Sequence, residues 1–147
     1  MDRLEEERDR AGRLGLTFSI AMLDVDHFKS CNDKYGHLVG DAVLRKIAER
    51  LKSSVREVDM VARYGGEEFC IVLPETTKKI AVTVAERLRK AIGAEPIKAF
   101  DEEIKVTASL GVTAYPEDGE DLNTLIEKAD TALYRAKRKG RNVVCEA

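Results

Sequence analysis

Two strand-like stretches separated by a pair of glycines constrain the fold of this chain more than any other feature. Residues 60–64 (MVARY) and 67–73 (EEFCIVL) are rich in β-forming side chains, and Gly65 and Gly66 stand between them. A tight turn of the primed type needs positive φ at its centre, which glycine adopts without steric cost. The pattern therefore predicts a β-hairpin with a primed turn at the two glycines.

Amphipathic helices and further strands are predicted on both sides of this hairpin. Apolar residues recur at three- and four-residue steps in the helical segments, whereas the strand segments are apolar or β-prone runs. Hairpins mixed with helices favour an α+β fold with a largely antiparallel central sheet flanked by helices, formed by a single domain over residues 1–147. The predicted helices cover residues 2–13, 40–54, 77–93 and 122–136, and the further strands cover residues 17–25, 96–100, 103–114 and 143–144.

The composition argues against several classes of protein. Charged residues make up 35% of the chain but sum to a net charge of only −2. We therefore expect no general affinity for DNA, RNA or an anionic membrane. The three cysteines are widely spaced and form no CxxC pair, which favours a reducing, cytoplasmic environment over a disulfide framework. The polar start does not resemble a signal peptide, and no apolar run approaches membrane-spanning length.

Two pairs of acidic residues are candidates for a metal site. Asp24 and Asp26 lie at the end of the first predicted strand, and because side chains alternate along a strand, both carboxylates are expected on one side. Glu67 and Glu68 directly follow the glycines. If the hairpin lies beside the end of that strand, the acids converge and repel one another unless a cation is present. The alternative is that each pair is a solvent-exposed strand end or turn.

The chemistry of such a cluster would suit magnesium. Carboxylate oxygens are preferred ligands of Mg²⁺, which commonly binds substrate phosphates as well. Two such ions could activate a ribose hydroxyl and stabilise a leaving pyrophosphate. Gly65 and Gly66 would leave room for phosphates beside the backbone, although an ordinary hairpin turn is the alternative explanation for them. The sequence contains no GxxxxGK[ST] motif, so a P-loop mechanism is not supported.

Several segments, in order over residues 18–145, resemble the motifs of GGDEF domains, the catalytic domains of diguanylate cyclases. The glycine loop resembles the family's signature in its Glu variant, GGEEF. The matching segments are residues 24–29 (DVDHFK), 32–37 (NDKYGH), 40–41 (GD), 64–69 (YGGEEF), 106–112 (VTASLGV), 129–137 (ADTALYRAK) and 140–142 (GRN).

The resemblance implies a fold like the palm of nucleotide cyclases and polymerases. It also implies condensation of two GTP into cyclic di-GMP, with two pyrophosphates released. Each domain would hold one GTP, so two domains would face each other in a homodimer. Asp24 and Glu67 would bind Mg²⁺, or alternatively Mn²⁺, with help from the backbone carbonyl of Val25. Glu68 would be a further acid at the same centre.

The resemblance also implies contacts to the nucleotide. Asn32 and Asp41 would recognise guanine, whose N1–H and exocyclic amine are donors that a carboxylate can accept. The alternative for these two residues is helix capping or turn formation. Basic residues would bind phosphates, although such residues near a helix end are also favourably placed in solvent. The phosphate contacts would come from Lys29, Lys137 and Arg141, with help from Arg63, and Gly65 and Gly66 would lie along the nucleotide.

A separate product-binding site is implied by Arg56 and Asp59, which resemble the family's RxxD inhibitory motif. Arginine can donate to guanine O6 and N7, while aspartate accepts from the Watson–Crick edge. Arg87, on the following helix, would contact the same bound product. The alternative is a surface ion pair that contributes well under about 1 kcal/mol to stability.

Two further expectations concern the intact protein. The family's usual opening stretch, DxLTGLxNRR, is not in this sequence, which we interpret as starting inside the first helix. A sensory or dimerisation domain is expected elsewhere in the intact protein. The alternative function is a catalytically weak regulatory module that binds cyclic di-GMP or GTP, against which the complete set of acidic and guanine-reading residues argues.

Overall fold

The computed structural model describes residues 2–147, and within them the chain forms five helices and seven strands. None of these helices combines the length and apolar character that crossing a membrane would require. In chain order the elements are α1 (Asp2–Leu14), β1 (Phe18–Val25), α2 (Phe28–Tyr35), α3 (His37–Ser53), β2 (Met60–Arg63), β3 (Glu68–Pro74), α4 (Lys78–Gly93), β4 (Ile97–Ala99), β5 (Glu102–Ile104), β6 (Ala108–Tyr115), α5 (Leu122–Arg138) and β7 (Val144–Glu146).

The main sheet has five strands in the order β2-β3-β1-β6-β7. β1 lies at its centre and pairs antiparallel with both β3 and β6, while β7 pairs parallel with β6 at one edge. Every residue of β1 is buried, because strands flank it on two sides and helices cover both faces. The predicted α+β fold with a largely antiparallel central sheet is confirmed.

The two faces of the sheet build two separate parts of the core. Ala21 and Leu23 of β1 pack in one cluster with residues of α2, α3, α4 and the small β4–β5 hairpin. Ile20 and Met22, which alternate with them, pack in a second cluster with α1 and α5. The helices therefore pack on the sheet from both sides.

The prediction of one continuous strand over residues 103–114 is wrong. β5 ends at Ile104 and pairs only with β4 in a separate two-stranded sheet, whereas β6 of the main sheet begins at Ala108. The intervening backbone bends toward the residue after β1, since the carbonyl of Thr107 accepts a hydrogen bond from the Asp26 N–H at 2.9 Å. This hydrogen bond continues the pairing between β1 and β6 by one residue.

The first hairpin is confirmed, but its turn is not of the primed type. β2 ends at Arg63 and β3 begins at Glu68, so a four-residue loop joins them. The N–H groups of Tyr64 and Gly65 donate to the Glu68 carbonyl at 2.8 and 3.4 Å. Neither Gly65 nor Gly66 has a positive φ, because the longer loop turns the chain without the left-handed residues that a two-residue turn requires.

Candidate active site

A pocket of about 240 Å³ lies at the carboxyl end of β1, beside the glycine loop, the start of α2 and the end of α5. Acidic and basic side chains meet there in a small volume. Seven residues predicted from the sequence line it: Asp24, Val25, Asp26, Lys29, Glu67, Lys137 and Arg141.

Pairing between β1 and β3 places the acidic residues. Asp24 is the register partner of Glu68, and the N–H of Val25 donates to the Glu67 carbonyl at 3.2 Å. The glycine loop therefore lies beside the end of the first strand, which is the arrangement in which the two acidic pairs were expected to converge. A Cβ at Gly65 would come 3.0 Å from Glu68 Oε2, so the absence of a side chain there leaves room for that carboxylate.

Burial and neighbouring negative charge both act on the carboxylates of this site. Burial raises the pKa of both Glu67 and Glu68, and the negative charge of Asp24 raises both pKa values further. The positive charge of Lys137 opposes these shifts, and Lys137 Nζ lies 2.8 Å from Asp24 Oδ2. Lys137 therefore opposes the raised pKa values of the two glutamates without cancelling the shifts.

Asp130 is a further acid close to this centre, although it lines a different pocket, and no role was predicted for it from the sequence. Burial raises its pKa, and its charge contributes to the raised pKa of Glu68. It lies on α5 seven residues before Lys137, a spacing of nearly two helical turns that places both on one face. That spacing is the sequence signal that could have linked Asp130 to the site.

Asp26 lines the pocket, but both oxygens of its carboxylate are hydrogen-bonded to neighbouring hydroxyls. Its Oδ1 accepts a hydrogen bond from the Ser109 hydroxyl, and its Oδ2 accepts from the Thr107 hydroxyl, both at 2.7 Å. Across residues 2–147 the structure has no group of three or more Asp, Glu, His or Cys side chains arranged to hold a metal ion. Asp24 is instead bonded to Lys137.

The residues proposed to read guanine lie outside the lining of this pocket. Asn32 lies on α2, and exposed Asp41 lies in the first half of α3. A Cβ at Gly40 would come 1.8 Å from Asn32 Oδ1, so glycine is required there and the Asn32 amide lies next to the neighbour of Asp41. Among residues 2–147, Asn32 Oδ1 is one of the few buried side-chain atoms that lack a hydrogen-bond partner.

Arg63 supports the glycine loop from the end of β2. Its Nε and one terminal nitrogen donate to the carbonyl of Gly66 at 2.9 and 2.6 Å. Arg63 is not among the residues that line the 240 Å³ pocket.

A family model described as "Diguanylate cyclase, GGDEF domain" matches residues 1–143. The chain belongs to the GGDEF domain family. Diguanylate cyclase DgcP of Pseudomonas aeruginosa is 47% identical over 141 residues, which are 96% of this chain. This GGDEF domain spans only 21% of the length of DgcP.

Solved GGDEF structures share the fold closely. Diguanylate cyclase SiaD from Pseudomonas aeruginosa, solved in complex with its activator SiaC, has a TM-score of 0.93 and 43% identity, over 99% of this chain and 56% of that one. The GGDEF domain of DgcB from Caulobacter crescentus, solved in complex with c-di-GMP, has a TM-score of 0.90 and 34% identity, over 99% of this chain and 84% of that one. The resemblance stated from the motifs is therefore confirmed.

The RxxD pair of this GGDEF domain lies in the loop between α3 and β2. Arg56 is bonded to Asp59, with its shortest contact at 2.8 Å, and it also donates to the carbonyl of Pro74 at 2.9 Å. The hydrogen bond to Asp59 raises the pKa of Arg56. Arg87 of α4 donates to the Ser54 carbonyl at 2.9 Å, so all three predicted residues lie in or against this loop.

Proposed function

We propose that this domain is the catalytic unit of a diguanylate cyclase, which condenses two GTP molecules into cyclic di-GMP and releases two pyrophosphates. The observation that carries the proposal is the small pocket where acidic Asp24 and Glu67 meet basic Lys29, Lys137 and Arg141. Carboxylates can prepare a hydroxyl for attack, whereas basic groups stabilise charge on phosphates. Membership of the GGDEF family supports the same reaction.

The acidic cluster would hold Mg²⁺, or Mn²⁺ as an alternative, through Asp24, Glu67, Glu68 and the carbonyl of Val25. The fit rests on charge, because burial and the charge of Asp24 raise the pKa of both glutamates and a cation would relieve their repulsion. Oxygen donors of this kind suit both metals. When bound, the ion would lower the pKa of the ribose 3′-hydroxyl and neutralise charge on the leaving pyrophosphate.

The basic side chains would bind and orient the triphosphate. The planar guanidinium of Arg141 can donate two parallel hydrogen bonds to one phosphate, whereas Lys29 and Lys137 act as point charges. Apart from Gly66 and its two chain neighbours, no described residue has an atom within 4 Å of a Cβ built at Gly66, so the loop backbone is open to a nucleotide on that side. Arg63 would have to release the Gly66 carbonyl to contact a phosphate.

Guanine would be selected by Asn32 and Asp41. The side-chain carbonyl oxygen of Asn32 has no hydrogen-bond partner and could accept a bond from a ligand. The ionised carboxylate of Asp41 can only accept hydrogen bonds. Guanine offers donors at N1 and at its amine, whereas adenine presents an acceptor at N1. The carboxylate would therefore favour GTP over ATP.

Turnover would need two domains that face each other. The candidate active site of one domain is a single small pocket of about 240 Å³, so each domain would hold one GTP. The 3′-oxygen of each GTP would attack the α-phosphorus of the other, and each new P–O bond would form as the bond to pyrophosphate breaks. A sensory or dimerisation domain in the intact protein would bring the two halves together.

Cyclic di-GMP would also bind as an inhibitor at Arg56, Asp59 and Arg87. The support is geometric, since Arg56 and Asp59 lie in contact with each other and Arg87 contacts the same loop through Ser54. These residues are separate from those that line the candidate active site. Product would therefore inhibit without competing directly with GTP.

Chromatography of reaction products tests the proposed function. The domain is incubated with GTP and Mg²⁺ at several protein concentrations, and ATP serves as the matched control. We expect cyclic di-GMP and pyrophosphate from GTP and no cyclic product from ATP. Binding of GTP or cyclic di-GMP without turnover at any concentration, including in a fused dimer, would instead favour a regulatory binding module.

A further inference from the structure

The turn that follows α5 has an uncommon backbone conformation. The helix ends in a Schellman motif. The N–H of Arg141 donates to the carbonyl of Ala136 at 3.1 Å, and the N–H of Gly140 donates to the carbonyl of Lys137 at 3.2 Å. Gly140 has φ of 110°, which suits glycine, but Arg141 and Asn142 also have positive φ, at 67° and 51°. Arginine seldom adopts this conformation, so contacts from outside the turn must stabilise it.

The buried carboxylate of Asp26 provides such a contact. The backbone N–H of Asn142 donates to Asp26 Oδ2 at 3.0 Å and to the Ser109 hydroxyl at 3.1 Å. Asp26 is itself fixed by the hydroxyls of Thr107 and Ser109. Because Asp26 is only 7% exposed, water competes little for these charge-assisted hydrogen bonds.

α4 holds the same turn from another direction. A terminal nitrogen of Arg89 donates to Asn142 Oδ1 at 2.8 Å. Glu86 in turn fixes the Arg89 guanidinium through an ion pair of 2.9 Å. The backbone and the side chain of Asn142 are thus both anchored, one to Asp26 and one to α4.

The turn carries a side chain that lines the candidate active site. Arg141 shares the pocket with Asp24 and Lys137, and the φ and ψ angles of Arg141 set the direction in which its guanidinium points. We propose that Asp26 is a positioning residue that fixes the Arg141-Asn142 turn and thereby places the Arg141 guanidinium beside the phosphates of the substrate. The identity of that ligand rests on the proposed function, whereas the anchoring of the turn does not.

Hydrogen exchange measures the anchoring without any nucleotide. In Asp26→Ala the amide of Asn142 loses its charged acceptor, so we expect it to exchange at least about tenfold faster than in the parent, while central-strand amides such as that of Val112 keep their protection. Asp101→Ala makes the same chemical change at an exposed turn and should leave both amides unchanged. Unaltered protection of Asn142 in Asp26→Ala would overturn the proposal.

A double-mutant cycle measures whether Asp26 acts through Arg141. The ligand is a GTP analogue with a methylene bridge between its α and β phosphates, which cannot release pyrophosphate. We expect Asp26→Ala to weaken its binding about tenfold in the parent but less than about twofold when Arg141→Ala is already present. If Asp26→Ala weakened analogue binding by the same factor in the parent and in Arg141→Ala, Asp26 would affect binding independently of Arg141, and the proposal would be overturned.

Two safeguards separate the possible failures. If the parent does not bind the analogue, the proposed function is wrong, while the exchange rates still decide whether Asp26 anchors the turn. If Asp26→Ala does not fold, Ser109→Ala replaces it, because this variant keeps the carboxylate but removes one donor to it and one acceptor of the Asn142 N–H. Faster exchange at Asn142 and non-additivity with Arg141→Ala are then expected, and their absence contradicts the proposal.

Discussion

Lys137 Nζ donates a hydrogen bond of 2.8 Å to Asp24 Oδ2, which joins two residues 113 positions apart in the sequence. Asp24 lies near the end of the central strand, and Lys137 lies in the last turn of α5. α5 can approach the sheet closely because β6 has a glycine beneath it. A Cβ at Gly111 would come 2.2 Å from the carbonyl oxygen of Ala129 and 2.4 Å from the backbone nitrogen of Leu133. The lack of a side chain at Gly111 thus allows α5 to pack close to the sheet, at a distance from which Lys137 can contact Asp24.

We expect Gly111→Ala to destabilise the domain and to reduce its activity. The added methyl group meets backbone atoms that cannot rotate away, so α5 must shift outward, and the free energy of unfolding should fall by about 1–3 kcal/mol. Urea titration measures this change, and turnover of GTP should fall in the fraction that remains folded because Lys137 moves away from Asp24.

Gly93→Ala is the matched control. A Cβ at Gly93, at the end of α4, would come no closer than 3.7 Å to its nearest neighbour, the carbonyl oxygen of Val106. This substitution should leave stability unchanged or raise it by about 0.4–1 kcal/mol. Equal stability of the two variants would contradict the role assigned to Gly111.

Removing the charge of Glu67 should abolish turnover while stabilising the metal-free domain. A carboxyl whose pKa is raised by burial binds its proton more readily in the folded state, so stability falls as pH rises through that pKa. Glu67→Gln removes this unfavourable charge at neutral pH. Thermal unfolding without metal should therefore occur at a higher temperature than in the parent, and its dependence on pH above the ordinary pKa of a glutamate should weaken.

Mg²⁺ distinguishes this explanation from a general change in stability. Addition of Mg²⁺ should raise the melting temperature of the parent more than that of Glu67→Gln, because binding to the folded state stabilises it. Glu103→Gln, at an exposed position of β5, should behave like the parent in every measurement. Cyclisation of GTP by Glu67→Gln at the parent rate would show that Glu67 is not a metal ligand.

The fold was largely predictable because hydrophobic periodicity reports burial directly. The structure buries the apolar faces of α3, α4 and α5, whose residues recur at three- and four-residue intervals, and it buries the apolar run of β1. Hydrophobic periodicity could not locate the break between Ile104 and Ala108. The break reflects which strand each segment pairs with, and the contact between Thr107 and Asp26 joins residues that are far apart in sequence. The turn type at Gly65 was missed because dipeptide composition does not set loop length.

The candidate site was predictable only in part. The positions of Asp24 and Glu67 follow from strand pairing, which the hairpin pattern indicated. Alternation along β1 suggested that Asp26 would join them, but side-chain alternation says nothing of the hydroxyls of β6 and the amide of Asn142 that bind it. Asp130 was missed because its proximity to Glu68 depends on how α5 crosses the sheet.

Asp41→Ala should weaken GTP binding and reduce the preference for GTP over ATP. Adenine N1 is an acceptor, so ATP cannot donate to the Asp41 carboxylate as GTP would. The binding free energies of the two nucleotides should therefore differ by about 1–3 kcal/mol, or roughly 5- to 150-fold in affinity. Calorimetry with both nucleotides on the parent and the variant measures it, and Asp33→Ala on the exposed side of α2 is the control. Equal affinities of the parent for GTP and ATP would remove Asp41 from guanine recognition.

Specific activity should rise with protein concentration. The product joins two nucleotides through two bonds, so each event requires two domains, and dilution should leave monomers with GTP bound but unreacted. Fusion to a dimeric coiled coil should raise activity at low concentration by increasing the effective concentration of the partner. Activity that stays flat across a dilution series, with a monomer shown by light scattering, would contradict the two-domain mechanism.

Product feedback should depend on Arg56 and Arg87 but not on the residues of the candidate active site. In the structure Arg56 neutralises Asp59, whose side chain is only 2% exposed, so Arg56→Ala leaves a buried carboxylate unpaired and its folding must be checked first. Arg87→Ala loses only a hydrogen bond to the Ser54 carbonyl and serves as the milder variant. We expect calorimetry to show at least about tenfold weaker binding of cyclic di-GMP to either variant, because each loses charge-assisted hydrogen bonds. Arg45→Ala, at an exposed position of α3, is the control and should bind cyclic di-GMP like the parent.

Because the product site is separate from the candidate active site, inhibition of the parent should persist at saturating GTP, as expected when product favours a non-productive arrangement of two domains. Inhibition that disappears as GTP is raised, or unchanged product binding by both variants, would show that product binds elsewhere.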